Sequence, residues 1–500
     1  MIPISVAEIA RIVGAELTGP GDTSAEAATF VVDSRAAAPA TLFYALPGEH
    51  VDGHDFVAGA FERGAVAAVV SHPLVEAAGP CLVVDDPIRA LGALARHLVD
   101  EAVAGGLRVV AITGSQGKTS TKDLLAQILE SAAPTVAPYG NHNNEIGVPL
   151  TAGRLAVDTR FLVVEMGARG IGHIAYLCEI APPQVSVVLN VGQAHVGEFG
   201  SQQAIARAKG EIVEALPASG TAVLNADDPL VRAMASRTSA PVMLFSDRAE
   251  PTSEQAVWAS DVRSDDLGRR RFSLHVRVAE GHRQAEVELQ LSGRHHVTNA
   301  VAAAAAATAV GVPLDAIVAV LTAAQLRSRS RMEIHERSDD VVVINDAYNA
   351  NPDSTRAALD TLAEIGGARR TRIPAARTWA LLGDMLELGE TSLAEHTSLG
   401  RYVGELKIDR LVAVGEFASV LVREAVGAGI DPDHALALVD KKTLADQVVP
   451  ELRPGDTVLV KASRGLALDT VAEEIWTSPP SAPPPSGAPS DTAPESEDPA

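Results

Sequence analysis

Three α/β domains, the second and third each doubly wound around a parallel sheet, are the fold that this sequence predicts. Three observations predict it. The chain has 500 residues, more than one hydrophobic core normally serves. Short Val-, Leu- and Ala-rich runs alternate with helical stretches, the pattern of strands buried on both faces of a parallel sheet. Two separate series of such strands end in loops rich in Gly, Asn and Asp, the place where open α/β sheets hold ligands.

Taken in order, residues 1–105 read as a small α/β unit. ATFVVDSR (28–35) and TLFYALPG (41–48) are strands separated by a turn, and 56–71 is a helix leading into a buried strand. The second unit, 106–326, opens with the strand LRVVAIT, a Gly-rich turn and the helix TSTKDLLAQILES. Further strands are expected at 161–167, 185–192 and 221–228. The polar stretch 252–288 reads as antiparallel strands or a loop-rich insertion. The apolar run 300–321 nearly reaches membrane length, but Pro313 and Asp315 interrupt it, so two packed helices joined by a short turn are predicted. In the third unit, 327–477, strands are expected at 340–349, 377–385, 410–416 and 456–463. Residues 478–500 are Pro, Ser, Ala and acid without apolar periodicity, the composition of a disordered tail.

Composition narrows the function classes. The formal charge of −23 disfavours nucleic acid or an anionic membrane as partner, though a few local cations and N–H groups suffice for an anionic small substrate. The hydrophobic share of 47% argues against disorder over most of the chain. Cys81 and Cys178 are the only cysteines and lie far apart, so a disulfide framework or structural zinc is not expected and a reducing cytosol fits. The first residues lack a basic start followed by an apolar block, so no signal peptide is read there.

The strongest local signal is the run from Thr113 through Gly114, Ser115, Gln116, Gly117 and Lys118 to Thr119, between a predicted strand and a predicted helix. Phosphates need close backbone N–H donors, hence glycines. They also need a cation, Lys118, and a hydroxyl for Mg²⁺, Thr119, at a helix N-terminus. The strict P-loop pattern places a Gly where this chain has Ile112, so the match is to a shortened variant. The alternative is a Gly-rich turn with a chance lysine. Glu165 closes a strand, where a carboxylate suits either a metal ligand or a turn cap. His195 alone reads as a structural loop histidine, and Lys209 alone as a solvated helix lysine.

Read together, the order changes that. T-G-S-x-G-K-T, N-x-N-N-x-I-G-x-P (141–149), E-M-G-A (165–168), N-V-G-x-A-H (190–195), A-K-G-E-I (208–212) and N-A-D-D (225–228) resemble the central ATPase domain of the Mur ligases. D-A-Y-N-A-N-P (346–352), G-D-M-L-E-L-G (383–389) and V-K-A-S-R (460–464), with D-S-R (33–35) and A-L-P-G-E-x-x-D-G-H-D-F (45–56), resemble the branch that adds D-alanyl-D-alanine. The resemblance covers about 30–475 and implies a UDP-substrate domain, a P-loop-type ATPase domain and a C-terminal Rossmann-like domain that binds the dipeptide and closes on ATP.

It also implies roles. Lys118 and the N–H groups of 114–119, with Thr113, would hold the ATP phosphates, Asp346 the ribose, Asn299 the adenine side, and Arg331 would reach the nucleotide from the third domain. Thr119 and Glu165 would bind one Mg²⁺; His195 and Lys209, the latter carbamylated by CO₂, would serve a second. Asn141, Asn144, Asn349, Asn351, Lys461, Ser463 and Arg464 would position the peptide substrates, and Ser34 and Arg35 the UDP end. The implied reaction activates the carboxylate of UDP-N-acetylmuramoyl-tripeptide as an acyl phosphate and transfers it to D-alanyl-D-alanine, in the cytoplasm, by a monomer acting on small molecules. The chain departs from the family at Arg329-Ser330-Arg331, where Pro-Gly usually precedes the hinge arginine, at His296, where Asn is common, and at Ala462, usually Gly. The competing readings are the preceding diamino-acid-adding ligase and, from another class, a P-loop kinase or nucleotide-gated binding protein.

Overall fold

The computed structural model describes residues 1–48, 51–192 and 199–479. Three sheets account for most of its strands. The first has the order β1-β5-β4-β3-β2, with Glu16–Thr18 (β1), Thr29–Val31 (β2), Thr41–Tyr44 (β3), Ala65–Val70 (β4) and Cys81–Val83 (β5). β2 to β5 run parallel, and the turn between β2 and β3 is a 3₁₀ crossover at Ser34–Ala36.

The second sheet has nine strands: Arg108–Thr113 (β6), Thr135–Val136 (β7), Phe161–Glu165 (β8), Val185–Val188 (β9), Thr221–Asn225 (β10), Val242–Ser246 (β11), Ala256–Ser264 (β12), Arg269–Val278 (β13) and Gly281–Ser292 (β14). Their order is β14-β13-β12-β11-β10-β9-β6-β8-β7. The polar stretch after residue 252 is an antiparallel meander, and its first strand, β12, joins the sheet parallel to β11. The third sheet comprises Glu333–Glu336 (β15), Val342–Asn345 (β16), Thr378–Gly383 (β17), Arg410–Val414 (β18), Ala435–Leu438 (β19) and Thr457–Lys461 (β20), in the order β15-β16-β20-β17-β18-β19.

Alternation along the strands explains why both faces are covered. Val110, Ile112 and Val163 point into one core with helices Lys118–Glu130, His295–Ala309 and Leu314–Ala323. Val109, Ala111, Leu162 and Val164 point into the other, with Pro87–Ala104, His173–Ile180 and Gln202–Glu214. In chain order these helices are Pro87–Ala104 (α1), Lys118–Glu130 (α2), His173–Ile180 (α3), Gln202–Glu214 (α4), His295–Ala309 (α5) and Leu314–Ala323 (α6), followed by Pro352–Arg372 (α7) in the third unit. Each fully buried Val or Leu contributes about 1.5–3 kcal/mol. Residues 300–307 of α5 are wholly buried, and their small side chains let the helix lie close on the sheet. No helix is long and apolar enough to cross a membrane among the described residues.

The chain passes from β6 to β8 on one side and to β9 on the other, so the carboxyl end of β6 is a topological switch point. The three units meet around it. Arg96 donates to the Glu179 carbonyl at 2.7 Å, joining α1 to α3. On the other flank, buried Arg270 of β13 pairs with Glu364 of α7, which also accepts from Ser264 Oγ at 2.6 Å. The chain end is held as well: Arg337 donates to the carbonyls of Ile475 and Pro479 and to Ser478 Oγ. The rest of the tail read from sequence, 480–500, lies outside the described residues.

Candidate active site

A cavity of about 940 Å³ opens where the three units meet. Its floor is the turn after β6. Gly117 has φ +81°, and a Cβ there would lie 2.5 Å from Asn299 Oδ1; one on Gly114 would lie 2.9 Å from Leu189 Cβ. These two positions therefore accept only glycine. Helix α2 begins at Lys118 with no side-chain cap, so its first N–H groups are available to a ligand, and the helix dipole favours an anion there. Asn190 shapes the turn: its Oδ1 accepts from the backbone N–H of Ser115 at 2.9 Å and Gln116 at 3.0 Å. Asn190 opens the N-V-G-x-A-H motif, yet nothing local in the sequence assigns it this bracing task.

Thr119 Oγ1 donates to Glu165 Oε2 at 2.8 Å, and Asn143 Nδ2 donates to Glu165 Oε1 at 2.8 Å. Glu165 is buried at the end of β8. A hydroxyl and a carboxylate oxygen in contact, at a phosphate-binding turn, form the hard-oxygen set that Mg²⁺ prefers. Lys118 Nζ donates to the Gly114 carbonyl at 2.8 Å. Burial pushes the Lys118 ammonium below the ordinary lysine range, Glu165 opposes that, and Arg331 adds repulsion.

Lys209 is buried on α4 and lines the cavity, so it is not a solvated helix lysine. Burial first, then repulsion from Lys118, drives its ammonium well below the ordinary range. Two residues on, Glu211 accepts from the N–H groups of Gly172 at 2.6 Å and Ala175 at 2.9 Å, tying α4 to the start of α3. His195 lies outside the described residues.

The opposite wall comes from the third unit. Lys461 Nζ, buried, donates to Asp346 Oδ2 at 2.6 Å and to the Asn349 carbonyl at 2.9 Å. Asp346 Oδ1 accepts from Met332 N at 3.1 Å. The guanidinium groups of Arg331 and Arg464 lie 4.0 and 5.2 Å from the Tyr348 ring centroid, a cation–π arrangement. Asn351 caps α7 through Ser354 N at 2.9 Å, and Ser463 Oγ accepts from Leu386 N at 2.9 Å. Asn349 also faces the cavity, as do Asn141 and Asn144 on the substrate-side loop.

Two departures noted in the sequence have physical answers. Ser330 sits at φ +58°, the left-handed region in which a glycine is unstrained. Its Oγ accepts from buried Asn345 Nδ2 at 3.3 Å, and its carbonyl accepts from Tyr348 N at 3.0 Å. His296 is buried beside His295, and burial holds its imidazole neutral, well below the usual range.

The structure thus gathers Gly114 to Thr119, Asn141, Asn144, Glu165, Lys209, Asn299, Arg331, Asp346, Asn349, Asn351, Lys461, Ser463 and Arg464 around one space. Thr113 is different: it is fully buried and its Oγ1 donates to the Met166 carbonyl at 2.8 Å. Ser34 and Arg35 do not line this cavity. Arg35 pairs with Asp33 at the surface, and its guanidinium holds the Asp33 carboxyl down to about 2. Local sequence gave no reason to single out Arg89, Arg169 and Tyr176, which line the end of the cavity next to α1 and α3. In a chain of charge −23 the space is rimmed by cations, as an anionic ligand requires.

Comparison with known proteins converges on one family. Residues 112–307 match the Mur ligase middle domain, 330–464 the Mur ligase glutamate ligase domain, and 29–99 the Mur ligase family catalytic domain. The chain is 44% identical to the UDP-N-acetylmuramoyl-tripeptide–D-alanyl-D-alanine ligase of Mycobacterium tuberculosis, over 95% of this chain and 98% of that one. Among solved structures, MurF of Acinetobacter baumannii superposes with a TM-score of 0.83 at 31% identity, covering 95% and 99% of the two chains. A MurF ligase of Thermotoga maritima in complex with ADP gives 0.74 at 27% identity, covering 90% and 97%.

Proposed function

The chain belongs to the Mur ligase family, and we propose that it joins D-alanyl-D-alanine to UDP-N-acetylmuramoyl-tripeptide, with ATP converted to ADP and phosphate. The observation that carries this is the single cavity in which a phosphate-binding turn, a Thr119–Glu165 oxygen pair and a cation-lined wall from another domain converge. The end-to-end likeness to the mycobacterial tripeptide ligase supplies the substrates.

The labour divides along the chain. Residues 1–105, with Ser34 and Arg35, take the UDP end. Residues 106–326 hold ATP. Residues 327–477 bring the dipeptide and close on the nucleotide. The N–H groups of 114–119 and Lys118 grip the phosphates, Asn299 lies on the adenine side, Asp346 takes the ribose, and Arg331 faces the phosphates from the hinge. The tripeptide carboxylate attacks the γ-phosphorus, ADP departs, and an acyl phosphate remains. The dipeptide amine then attacks the acyl carbon, phosphate leaves, and the amine gives up a proton. Asn141, Asn144, Asn349, Asn351, Lys461, Ser463 and Arg464 orient the two peptides so that the amine, rather than water, reaches that carbon.

Thr119 and Glu165 would hold one Mg²⁺, and Lys209 with His195 a second. Mg²⁺, when bound, supplies the positive charge that lets two anions approach. A protonated Lys209 would repel such an ion. Its buried amine, whose ammonium form burial and Lys118 disfavour, is instead suited to react with CO₂, giving a carbamate whose oxygens are Mg²⁺ ligands. The enzyme works as a cytoplasmic monomer on small-molecule substrates. The test is phosphate release measured with each substrate omitted in turn. It should require both UDP-muramyl tripeptide and D-alanyl-D-alanine; release with UDP-muramyl dipeptide and a free diamino acid would assign the preceding step instead.

A further inference from the structure

One turn beyond the phosphate-binding residues, α2 buries two consecutive charged side chains, Lys122 and Asp123. They pair with each other at 2.5 Å, and each also holds a loop. Lys122 Nζ donates to the Pro138 carbonyl at 3.1 Å, at the foot of the loop that carries Asn141 and Asn144. Asp123 Oδ2 accepts from the backbone N–H groups of Arg327 at 3.1 Å and Ser328 at 2.9 Å. The same helical stripe continues outward. Gln127 Nε2 donates to the Gln325 carbonyl at 2.9 Å, and Glu130 takes Arg327 in a two-pronged pair at 2.7 and 2.5 Å. Residues 325–328 are thereby fastened along the nucleotide-binding helix, just before Arg331 enters the cavity beside Lys118.

Burying a carboxylate carries a desolvation penalty that an apolar side chain would not, so space-filling alone does not account for Asp123. What the charge adds is a fixed acceptor for two backbone N–H groups of the interdomain linker. We infer that Asp123 is a positioning residue: it sets where the linker leaves α2 and so aims Arg331 at the phosphates of ATP. This rests on reading the cavity as the ATP site. Asp123 does not line the cavity, and of the two segments it reaches, the linker directly and the 138–144 loop through Lys122, only the linker carries Arg331.

A double-mutant cycle on the full-length protein tests this by calorimetric titration with a non-hydrolysable ATP analogue and Mg²⁺. Asp123→Asn keeps the shape but turns an amide donor toward Lys122 or the linker N–H groups. Asp123→Asn and Arg331→Ala should each weaken binding by about tenfold, and the double variant should be no weaker than the worse single one, since both remove the same contact. Additive losses, about a hundredfold together, would show that Asp123 only supports the fold. Should Asp123→Asn not fold, Glu130→Ala at the exposed end of the stripe replaces it. It should weaken binding about two- to threefold, again without adding to Arg331→Ala; additivity there overturns the inference equally. Wild-type turnover, assayed separately, decides the ligase reading. A protein that binds the analogue without ligating peptide would sink that reading and leave the cycle interpretable.

Discussion

The phosphate shelf draws its groups from one short stretch, 114–119, braced by hydrogen bonds to Asn190 and to Glu165, which Asn143 holds in turn. The facing wall is assembled from separate loops, bringing Arg331, Asp346, Tyr348, Lys461 and Arg464 together across a hinge with two non-glycine residues at positive φ, Ser330 at +58° and Met332 at +54°. The shelf is held by hydrogen bonds within one domain, so a change at Lys118 is expected to remove a charge without moving its neighbours. The wall depends on the linker's path, so a change there alters where several groups lie. Shelf variants should therefore lose rate at nearly full stability, whereas wall variants should shift stability and binding together.

The largest effect is expected on the shelf. Lys118→Ala should cut kcat by about a hundredfold or more, the usual size for losing a pre-placed charge donor, with a melting temperature close to wild type. A large drop in melting temperature would mean that the shelf is less independent than its bonds imply. Lys209→Ala should be severely impaired and partly restored by added acetate, which can occupy the place of the carbamate. Lys209→Arg should stay inactive, because it keeps a positive charge and cannot be carbamylated. An active Lys209→Arg enzyme removes the carbamate from the account.

The face where the wall meets helix α5 of the central unit should respond to acid. Burial pushes the His295 imidazole down to about 4 from 6.5, with Asp346 opposing and Lys461 assisting. The unfolded chain takes up the proton first, so stability is complete above about pH 6.5 and falls as pH drops from there toward about 4, by roughly 1.4 kcal/mol per unit for one proton. His296 adds to the same trend. Urea unfolding at pH 7 and pH 5 measures it, and His295→Gln should flatten the slope; an unchanged slope would place the acid sensitivity elsewhere.

Smaller still is the hinge comparison. Ser330→Ala loses the bond to Asn345 and keeps the strained backbone, whereas Ser330→Gly loses the same bond but relieves roughly 1 kcal/mol of strain. The glycine variant should melt above the alanine variant, and the reverse order would show that Ser330 is not strained. Removing 480–500 should change nothing measurable, because that composition cannot bury apolar area. Removing 478–500 should lower the melting temperature slightly by freeing Arg337 from Ser478 and Pro479.

The same contrast explains what the sequence disclosed. Strand–helix alternation revealed the two doubly wound sheets because buried parallel strands must be apolar throughout, and the glycines and lysine of 114–118 revealed the shelf because a phosphate turn is a local object. The β-meander was legible only as antiparallel strands or a loop-rich insertion, since its attachment through β12 to β11 is a tertiary choice. Asn190, Arg89 and Tyr176 were not legible as site residues: an asparagine that braces a turn more than seventy residues away has no local pattern. The departure at Ser330 was visible in sequence, but its answer, a hydrogen bond from Asn345, needed the fold.

The acyl phosphate is the chemical core of the account, and one isotope measurement addresses it directly. UDP-muramyl tripeptide labelled with ¹⁸O in the reacting carboxylate is turned over with ATP and D-alanyl-D-alanine, and the released phosphate is analysed by mass spectrometry. Because the carboxylate oxygen that attacks the γ-phosphorus leaves with it, each phosphate formed should carry one labelled oxygen. Phosphate without label, formed alongside ligated product, would contradict carboxylate activation at this site.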